Sequence, residues 1–584
     1  MIIKRHIICL LGFLLIASIE LSGQPMRIKA VDIYGNSYYS NSDIEALIQF
    51  EKKDLASGIW KEKVLEQLRE AHRREGYFDM KLDSIKIQIS EDSLQAALSF
   101  WIDKGDPVIV HSIKFDWGQS KHPEYLRNNL LDIFNLQGER YQERYLENQL
   151  DHLLVQSANH GFPLATLKLT NAKLVSDEVF GIQLFYQYEK GVLVTIDTIK
   201  FVGNKLTRYQ TLLHELRAQT GDVFQHERLI EGYENLQRLD YIRNVSKPVF
   251  EFIDDKATVT YQLKENNPNT IDGLIGYTPP KKDEPGSKGT FTGRLELVFK
   301  NLMGTGRFVE AFWQKKEDDS QAIRFQYEEP WILGYPFFGG GQFEQIIRDS
   351  TYLERDKNLT LRYEPWATLS CDLRGGQKEI LPDSLGKALL GLSKSNRWYV
   401  ALGFNYQTFD VPANPTSGVR YETRLYEGTK FTAETDKSAR FQSLWIDVEY
   451  VYALRTRQIF FMGLHGRDVK IENSRVPLED QIRLGGAYTL RGYFEDSFRG
   501  HRVAWINSEY RFILSSQSRA FVFCDMGHIE RFDDADRLFK TTKIGYGVGL
   551  RLETGLGRIG IDYGLGYGDG LLQGKIHVGL QNHF

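Results

Sequence analysis

The C-terminal part of the chain alternates apolar and polar positions with a period of two. In "KIGYGVGLRLE" the apolar residues share one face, and glycine and charged residues share the other. The same alternation returns in "RIGIDYGLGYG" and in "GKIHVGLQNHF". Such alternation predicts β-strands with one apolar and one polar face. Alternating segments follow one another from Thr270 onward, each taking about twenty residues with its turn, which predicts about sixteen strands.

The composition of the two faces decides where the apolar side chains point. The polar face carries Gly, Arg, Glu, Asp and His, and aromatic residues lie near the strand ends. This arrangement favours lipid outside and a wet lumen inside, and closure of the sheet would leave no backbone edge in lipid. We therefore predict a transmembrane antiparallel β-barrel over residues 267–584. A soluble, lectin-like β domain is the alternative.

A different pattern fills the chain before the barrel. A strand, two helical stretches and two further strands return three times, and a turn glycine follows the first strand of each copy, at Gly35, Gly118 and Gly203. The copies are roughly 80 residues apart, too long a period for a solenoid repeat. The sequence therefore predicts three small α+β domains in series, with the order β-α-α-β-β. Their predicted bounds are 24–105, 106–190 and 191–266.

The first residues, "MIIKRHIICLLGFLLIASIELSGQ", combine a basic start with a short apolar run and small residues. This pattern predicts a secretory signal peptide at 1–23, because the apolar run is too short to span about 30 Å of hydrocarbon. Removal of the signal would leave two cysteines, Cys371 and Cys524, in a long chain. We expect an exported protein without a disulfide framework.

Charge and motif spacing argue against several classes of function. The net charge is −4, which gives no electrostatic case for nucleic-acid binding. The histidines lack metal-ligand spacing, and no serine motif or acid–base cluster accompanies them. "GLGRIG" fits a dinucleotide fingerprint formally, but it lies between strands with no helix to follow. We expect no enzyme activity, no metal and no cofactor.

Tandem β-α-α-β-β units followed by a barrel of about sixteen strands ending in Phe584 resemble the BamA/TamA superfamily. In that family the repeats are periplasmic POTRA domains and the barrel is of the bacterial surface antigen type. The resemblance covers essentially the whole mature chain, and three repeats are most similar to the TamA branch. One departure is Asn582, which stands where the family tends to carry a hydrophobic residue.

The most specific part of the resemblance is a (Val/Leu/Ile)-Arg-Gly-(Phe/Tyr) motif at the tip of a loop folded into the barrel. It is matched by Leu490, Arg491, Gly492 and Tyr493. A second motif, Phe-x-Asp-x-Gly on a later strand, is matched by Phe523, Asp525 and Gly527, and the strand between them supplies the acidic Glu509.

Physical chemistry predicts a structural role for these residues. An arginine drawn into a narrow lumen loses hydration, and carboxylates in bidentate geometry can replace it. Glycine at position 492 would let the loop tip turn close to the wall. We expect Arg491 to fix the loop to Glu509 and Asp525, and to have no catalytic part.

The resemblance implies a bacterial outer-membrane protein that inserts or exports other outer-membrane proteins, with its POTRA domains in the periplasm. Its implied partners are unfolded client barrels, the lipid bilayer and possible periplasmic or inner-membrane proteins. A two-partner secretion pore that exports one exoprotein is the alternative.

The predicted opening is the seam between the first and last strands. The first strand is short, rich in glycine and followed by two prolines, which cannot donate to a ladder. A weak seam would open at low cost and expose an edge for an incoming strand. The predicted seam residues are Ile271, Gly273, Leu274, Gly276, Gly579, Leu580 and Phe584.

Overall fold

A computed structural model describes twelve stretches of the chain: residues 27–35, 60–89, 95–118, 123–176, 180–278, 290–315, 320–348, 351–410, 414–515, 517–532, 537–554 and 557–581. Four predictions lie outside them: the signal peptide at 1–23, the first helical stretch of the first repeat, the effect of Asn582 and the contribution of Phe584 to the seam. No helix in these stretches is long and apolar enough to cross a membrane.

The chain forms two compact units. The first contains the first two small domains and part of the third, and the second contains the rest of the third domain together with the large sheet.

The first two small domains each place helices beside a three-stranded sheet. The first contains β1 (Arg27–Tyr34), α1 (Trp60–Arg74), β2 (Lys81–Ile89) and β3 (Gln95–Asp103), with sheet order β1-β3-β2. The second contains β4 (Ile109–Asp116), a 3-10 turn (Glu124–Leu126), α2 (Arg127–Phe134), α3 (Glu143–Asn159), β5 (Thr166–Ser176) and β6 (Phe180–Glu189), with sheet order β4-β6-β5. The first strand pairs in parallel with the last in both domains.

Helical spacing explains how these domains bury their cores. Val64, Leu68 and Ala71 lie one turn apart on α1 and are buried. On α3 the same face carries Leu146, Leu150 and Leu153. It packs on a cluster drawn from β4 and the residue before it, the 3-10 turn, α2 and β6: Val108, Val110, Ile113, Leu126, Leu130, Ile133, Ile182, Leu184, Tyr186 and Tyr188. Each domain therefore has a small hydrophobic core of its own.

The third small domain contains β7 (Thr195–Val202), α4 (Tyr209–Leu216), α5 (His226–Arg238), β8 (Ile242–Val245), β9 (Val249–Ile253) and β10 (Lys256–Glu265). Its sheet order is β7-β10-β8, with β9 also on β10. The predicted order β-α-α-β-β is present, with one additional short strand.

The repeated turn glycine has a steric cause in the first and third domains. Gly35 and Gly203 adopt φ of 86° and 104°, and an added Cβ would lie 2.0 Å from the Ile102 oxygen and 2.1 Å from the Leu263 oxygen. Only glycine tolerates both the left-handed backbone and this approach to the last strand. Gly118 also has positive φ, but nothing lies within 4 Å of its Cβ position.

The rest of the chain forms one antiparallel sheet, whose sixteen described strands follow chain order from β11 to β28. They are β11 (Thr270–Thr278), β12 (Thr290–Leu302), β13 (Arg307–Lys315), β14 (Gln321–Glu329), β15 (Phe337–Arg348), β16 (Tyr352–Trp366), β17 (Leu369–Pro382), β18 (Ser395–Gln407), β19 (Gly418–Thr432), β20 (Lys437–Arg455), β21 (Gln458–Ile471), β24 (Arg502–Ile513), β25 (Arg519–Phe532), β26 (Leu538–Thr554), β27 (Gly557–Gly566) and β28 (Lys575–Gln581). A short helix, α6 (Ser384–Leu390), lies between β17 and β18. The loop before β24 contains a small hairpin of β22 (Ile482–Leu484) and β23 (Phe498–Gly500).

Side-chain exposure alternates along the strands as the sequence predicts. On β18 Trp398, Val400 and Leu402 are exposed, whereas Tyr399 and Ala401 are buried. Similar alternation on other strands puts apolar side chains on the outer surface and polar groups inside. The sixteen described strands form a β-barrel, which confirms the barrel part of the predicted fold class.

Three turns of the barrel contact α4 of the third domain and the residues that flank it. The Thr211 hydroxyl donates to the Gly304 carbonyl oxygen over 3.0 Å, and the Trp331 indole N–H donates to Glu215 Oε1 over 2.8 Å. The Arg217 guanidinium donates to the Pro365 carbonyl oxygen. These contacts mark the barrel end that faces the third domain.

The burial of Glu215 predicts a pH dependence at this joint. Burial raises the pKa of Glu215 from 4.5 to about 7, while the Trp331 N–H and the nearby Arg217 and Arg362 oppose the rise and Glu364 adds to it. Because the pKa of Glu215 is higher in the folded state, folding favours its protonated carboxyl. This contribution to the free energy of unfolding is complete below pH 4.5 and is lost as the pH rises to 7. The change amounts to roughly 3 kcal/mol.

Hydrogen exchange of the α4 amides, corrected for intrinsic rates, measures this effect. We expect protection to fall between pH 4.5 and 7 in the natural chain and to stay constant in Glu215→Gln. Glu231→Gln, on the exposed surface of α5, is the matched control and should keep the natural profile. Identical profiles for Glu215→Gln and the natural chain would contradict the assignment.

Candidate functional site

The loop between β21 and β24, residues 472–501, folds back into the barrel. Its hairpin places Leu484 and Leu490 in a buried cluster with Val503, Trp505 and Ile529 of the wall. The same loop also contacts strands far apart in the sheet, from Tyr352 on β16 to Ile544 on β26. A sheet can meet one loop in this way only if it curls around it.

Arg491 lies at the tip of this loop, and its contacts define what we call the arginine lock: Arg491, Glu509 and Asp525. The Arg491 Nε and Nη2 donate to the two Asp525 oxygens, each over 2.8 Å. The Arg491 Nη1 donates to Glu509 Oε1 over 2.7 Å, and the Arg491 backbone N–H donates to Asp525 over 3.0 Å. The fork geometry that favours arginine over lysine is therefore fully used.

The lock is buried and has aromatic neighbours. Arg491, Glu509 and Asp525 are 4%, 7% and 0% exposed. The Arg491 guanidinium lies 3.9 Å from the centroid of the Phe523 ring, a cation–π contact that adds to the ion pairs. Glu509 is shared with Arg511, whose Nε donates to its second oxygen over 2.8 Å. Two arginines and two carboxylates thus balance in charge inside the wall.

Glycines allow the loop tip to lie flat against β26 and β27. Gly492 has φ of 91°, and an added Cβ would lie 2.6 Å from the Leu565 carbonyl carbon. On the wall, a Cβ at Gly545 would lie 1.8 Å from the Arg491 oxygen, and one at Gly564 would lie 2.6 Å from the Gly492 nitrogen. The Tyr493 hydroxyl donates to the Ile544 carbonyl oxygen over 3.0 Å. Gly527 leaves similar room for Leu484 and Leu490.

A second group of charges holds the base of the loop, and we call it the loop anchor: Glu479, Asp480, Lys430 and Arg397. The Lys430 ammonium donates to Glu479 over 2.9 Å and also to Asp480. The Arg397 Nη1 donates to Asp480 over 2.9 Å. The two acidic side chains are 3% exposed. The loop is therefore tied to β18 and β19 as well as to β24 and β25.

The predicted seam residues lie at the two ends of the sheet. Ile271, Gly273, Leu274 and Gly276 are in β11, and Gly579 and Leu580 are in β28. Within the described ranges β11 pairs only with β12, and β28 pairs only with β27. No backbone ladder joins these two strands there, so each has one edge without a strand partner.

Family models match both parts of the chain. The Omp85 superfamily domain matches residues 301–581, and the POTRA model, described as a surface antigen variable number repeat, matches 26–105 and 194–266. The chain belongs to the Omp85 superfamily. The match confirms the predicted BamA/TamA-type relationship.

Individual relatives of this Omp85 chain are distant. The outer membrane protein assembly factor BamA of Nitratidesulfovibrio vulgaris is 24% identical over 613 residues, covering 97% of this chain and 73% of that protein. Among solved structures, BamA from Haemophilus ducreyi lacking POTRA domains 1–3 is 15% identical, with TM-score 0.48, covering 80% of this chain and 97% of that chain. CdiB from Escherichia coli is 18% identical, with TM-score 0.49, covering 86% and 93%.

The two POTRA matches cover the first and third small domains. The second domain nevertheless has the β-α-α-β-β order and the parallel pairing of its first and last strands. The number of three POTRA repeats, their bounds and the TamA branch remain predictions.

Several residues of this Omp85 site escaped the sequence analysis. The loop anchor joins residues that lie 49 to 83 positions apart in the sequence, and no motif marks them. The glycines of "KIGYGVGL" were visible in the sequence as one face of an alternating strand. The structure was needed to show why Gly545 is a glycine, which is that the loop tip lies against it. Arg511 was visible only as one of many charged lumen positions.

Proposed function

We propose that this chain is an outer-membrane protein assembly factor that inserts client β-barrel proteins at the seam between β11 and β28. The observation that carries the proposal is the pair of edges that have no strand partner within the described residues. Such an edge presents backbone N–H and C=O groups that bind an extended strand with little regard to its sequence. A client strand can therefore add to the sheet while the rest of the barrel stays intact.

The arginine lock supports this mechanism by keeping the wall beside the seam in shape. It joins the loop tip to β24 and β25, and Gly492 and Tyr493 lie against β26 and β27, next to the last strand. With the loop anchor on β18 and β19, the loop spans the lumen and holds opposite walls together. The barrel can then accept a client strand at the seam without losing its fold.

The small domains supply a route for clients before insertion. β5 is an edge strand of the second domain, and it is exposed along most of its length. We propose that such edges receive unfolded clients in the periplasm and that the first domain is where a periplasmic or inner-membrane partner binds.

Depletion of the protein from its host, followed by quantitative proteomics of the outer membrane, tests the proposed function. We expect several unrelated β-barrel proteins to fall together, with recovery on expression of the natural chain. Loss of one secreted protein with unchanged barrels would contradict the proposal and favour the two-partner secretion alternative. A chain carrying Arg440→Ala, in an exposed ion pair, is the matched control and should restore the barrels fully.

A further inference from the structure

An apolar groove of about 1240 Å³ lies on the outer surface of the barrel, where β14 to β19 run side by side. Its walls are the exposed side chains of Phe325, Leu359, Trp398 and Val400. The groove is remote from the lock, and it faces the bilayer in an outer-membrane barrel. A molecule that binds in this groove must therefore come from the bilayer.

Glycines, which have no side chains, form the floor of the groove. Gly341, Leu359 and Gly375 stand directly opposite one another on three adjacent strands, and all three point outward. Nothing lies within 4 Å of the position that a Cβ of Gly375 would take, and at Gly341 the nearest atom is the flexible end of Leu359. One open slot thus lies on each side of Leu359, and the slot at Gly375 is bounded along β17 by the outward-facing Leu373 and Gln377.

A single cation stands above these slots. Lys357 is the outward-facing residue that precedes Leu359 on β16, and it pairs with Phe343 and Gln377 on the neighbouring strands. It is exposed, and within the described part of the chain no carboxylate lies within 4.0 Å of its ammonium group. The nearby acids are already paired, Glu379 with Arg355 over 3.3 Å and Glu427 with Arg440. This face therefore carries one uncompensated positive charge.

The level of Lys357 on the barrel matches a lipid headgroup. On β16 the outward side chains change from Tyr363, Leu361 and Leu359 to Lys357 and Arg355 along the strand. This change lies toward the end opposite the turns that contact the third domain. It therefore marks the boundary between the apolar band and the headgroups of the leaflet away from the small domains.

We propose that this groove binds one phosphate-bearing membrane lipid, with its phosphate on Lys357 and its acyl chains along the apolar surface beside Leu359. The matching features are one unpaired cation and the open apolar surface on both sides of Leu359, at the depth where a headgroup joins its chains. The site needs only the barrel in a membrane, so it does not depend on client insertion.

Native mass spectrometry of the purified full chain in detergent, with added phosphatidylglycerol, tests the proposal. We expect one retained lipid on the natural chain. Lys357→Gln should weaken binding about fivefold, since a basic side chain near a membrane surface contributes about 1 kcal/mol with an anionic lipid. The pair Gly341→Leu and Gly375→Leu should weaken it at least as much by filling the slots.

Gly466→Leu is the matched control, because this glycine also points outward with open space around it. It should bind phosphatidylglycerol as the natural chain does. Equal retention by all variants would overturn the proposal, as would displacement by inorganic phosphate or equally tight binding of a single-chain lysolipid. Each variant is first checked for the heat-dependent gel shift of a folded barrel. Client insertion, measured separately, distinguishes failure of the lipid site from failure of the proposed function.

Discussion

Replacing Arg491 with alanine is expected to lower the free energy of unfolding of the barrel by about 3–5 kcal/mol, the usual result of breaking a buried ion pair from one side. The substitution leaves the Asp525 carboxylate, which is fully buried, without its partner. It also removes the contact with the Phe523 ring. Arg491→Lys should lose most of the same energy, because an ammonium cannot reproduce the two-pronged contact.

The measurement is urea unfolding of the purified chain in detergent, followed by the gel shift of the folded barrel. Arg440→Ala is the matched control, since both side chains of its ion pair with Glu427 are largely exposed, and it should leave the free energy of unfolding nearly unchanged. If Arg491→Ala and Arg440→Ala unfolded at the same urea concentration, the lock would not stabilise the barrel.

A double-mutant cycle separates the lock from ordinary packing. Glu509 keeps Arg511 as a partner when Arg491 is removed, whereas Asp525 has no other ion pair among the described residues. Removing Arg491 and Asp525 together therefore leaves no unpaired carboxylate in the wall. We expect the double alanine variant to be at least about 1 kcal/mol more stable than the sum of the single effects indicates. Strict additivity would show that the two groups do not interact.

The sequence predicted the features that depend on local periodicity. The alternation in "KIGYGVGLRLE" identified the faces of β26 because the period of two is a property of the strand itself. The turn glycines Gly35 and Gly203 marked the start of repeated domains because each ends a strand in a conformation that only glycine adopts freely. The order of Arg491, Glu509 and Asp525 was visible only through a family motif.

Contacts between distant segments could not be predicted in this way. The loop anchor joins Asp480 to Lys430, and the joint of the third domain joins Glu215 to Trp331 across 116 positions. Neither pair follows from the pattern of its own strand or helix, because each depends on how the sheet curls. The groove beside Leu359 is a further example, since its glycines lie on strands that are neighbours only after pairing.

Covalent closure of the seam is expected to abolish client insertion, because a tethered edge cannot accept a new strand. The variant carries cysteines at positions 274 and 580, one in β11 and one in β28, joined by a cleavable bismaleimide linker. Cys371 and Cys524 are exposed and are first replaced by serine. The matched control joins positions 402 and 425, which are paired, outward-facing leucines in the middle of the sheet. That tether should leave insertion unchanged.

The most direct measurement of the central claim is the yield of a folded, protease-resistant client barrel in liposomes that contain the tethered protein. Our account predicts at least a tenfold loss with the tether at 274 and 580, full yield with the tether at 402 and 425, and recovery once the linker is cleaved. Full yield from the barrel tethered at 274 and 580 would contradict it.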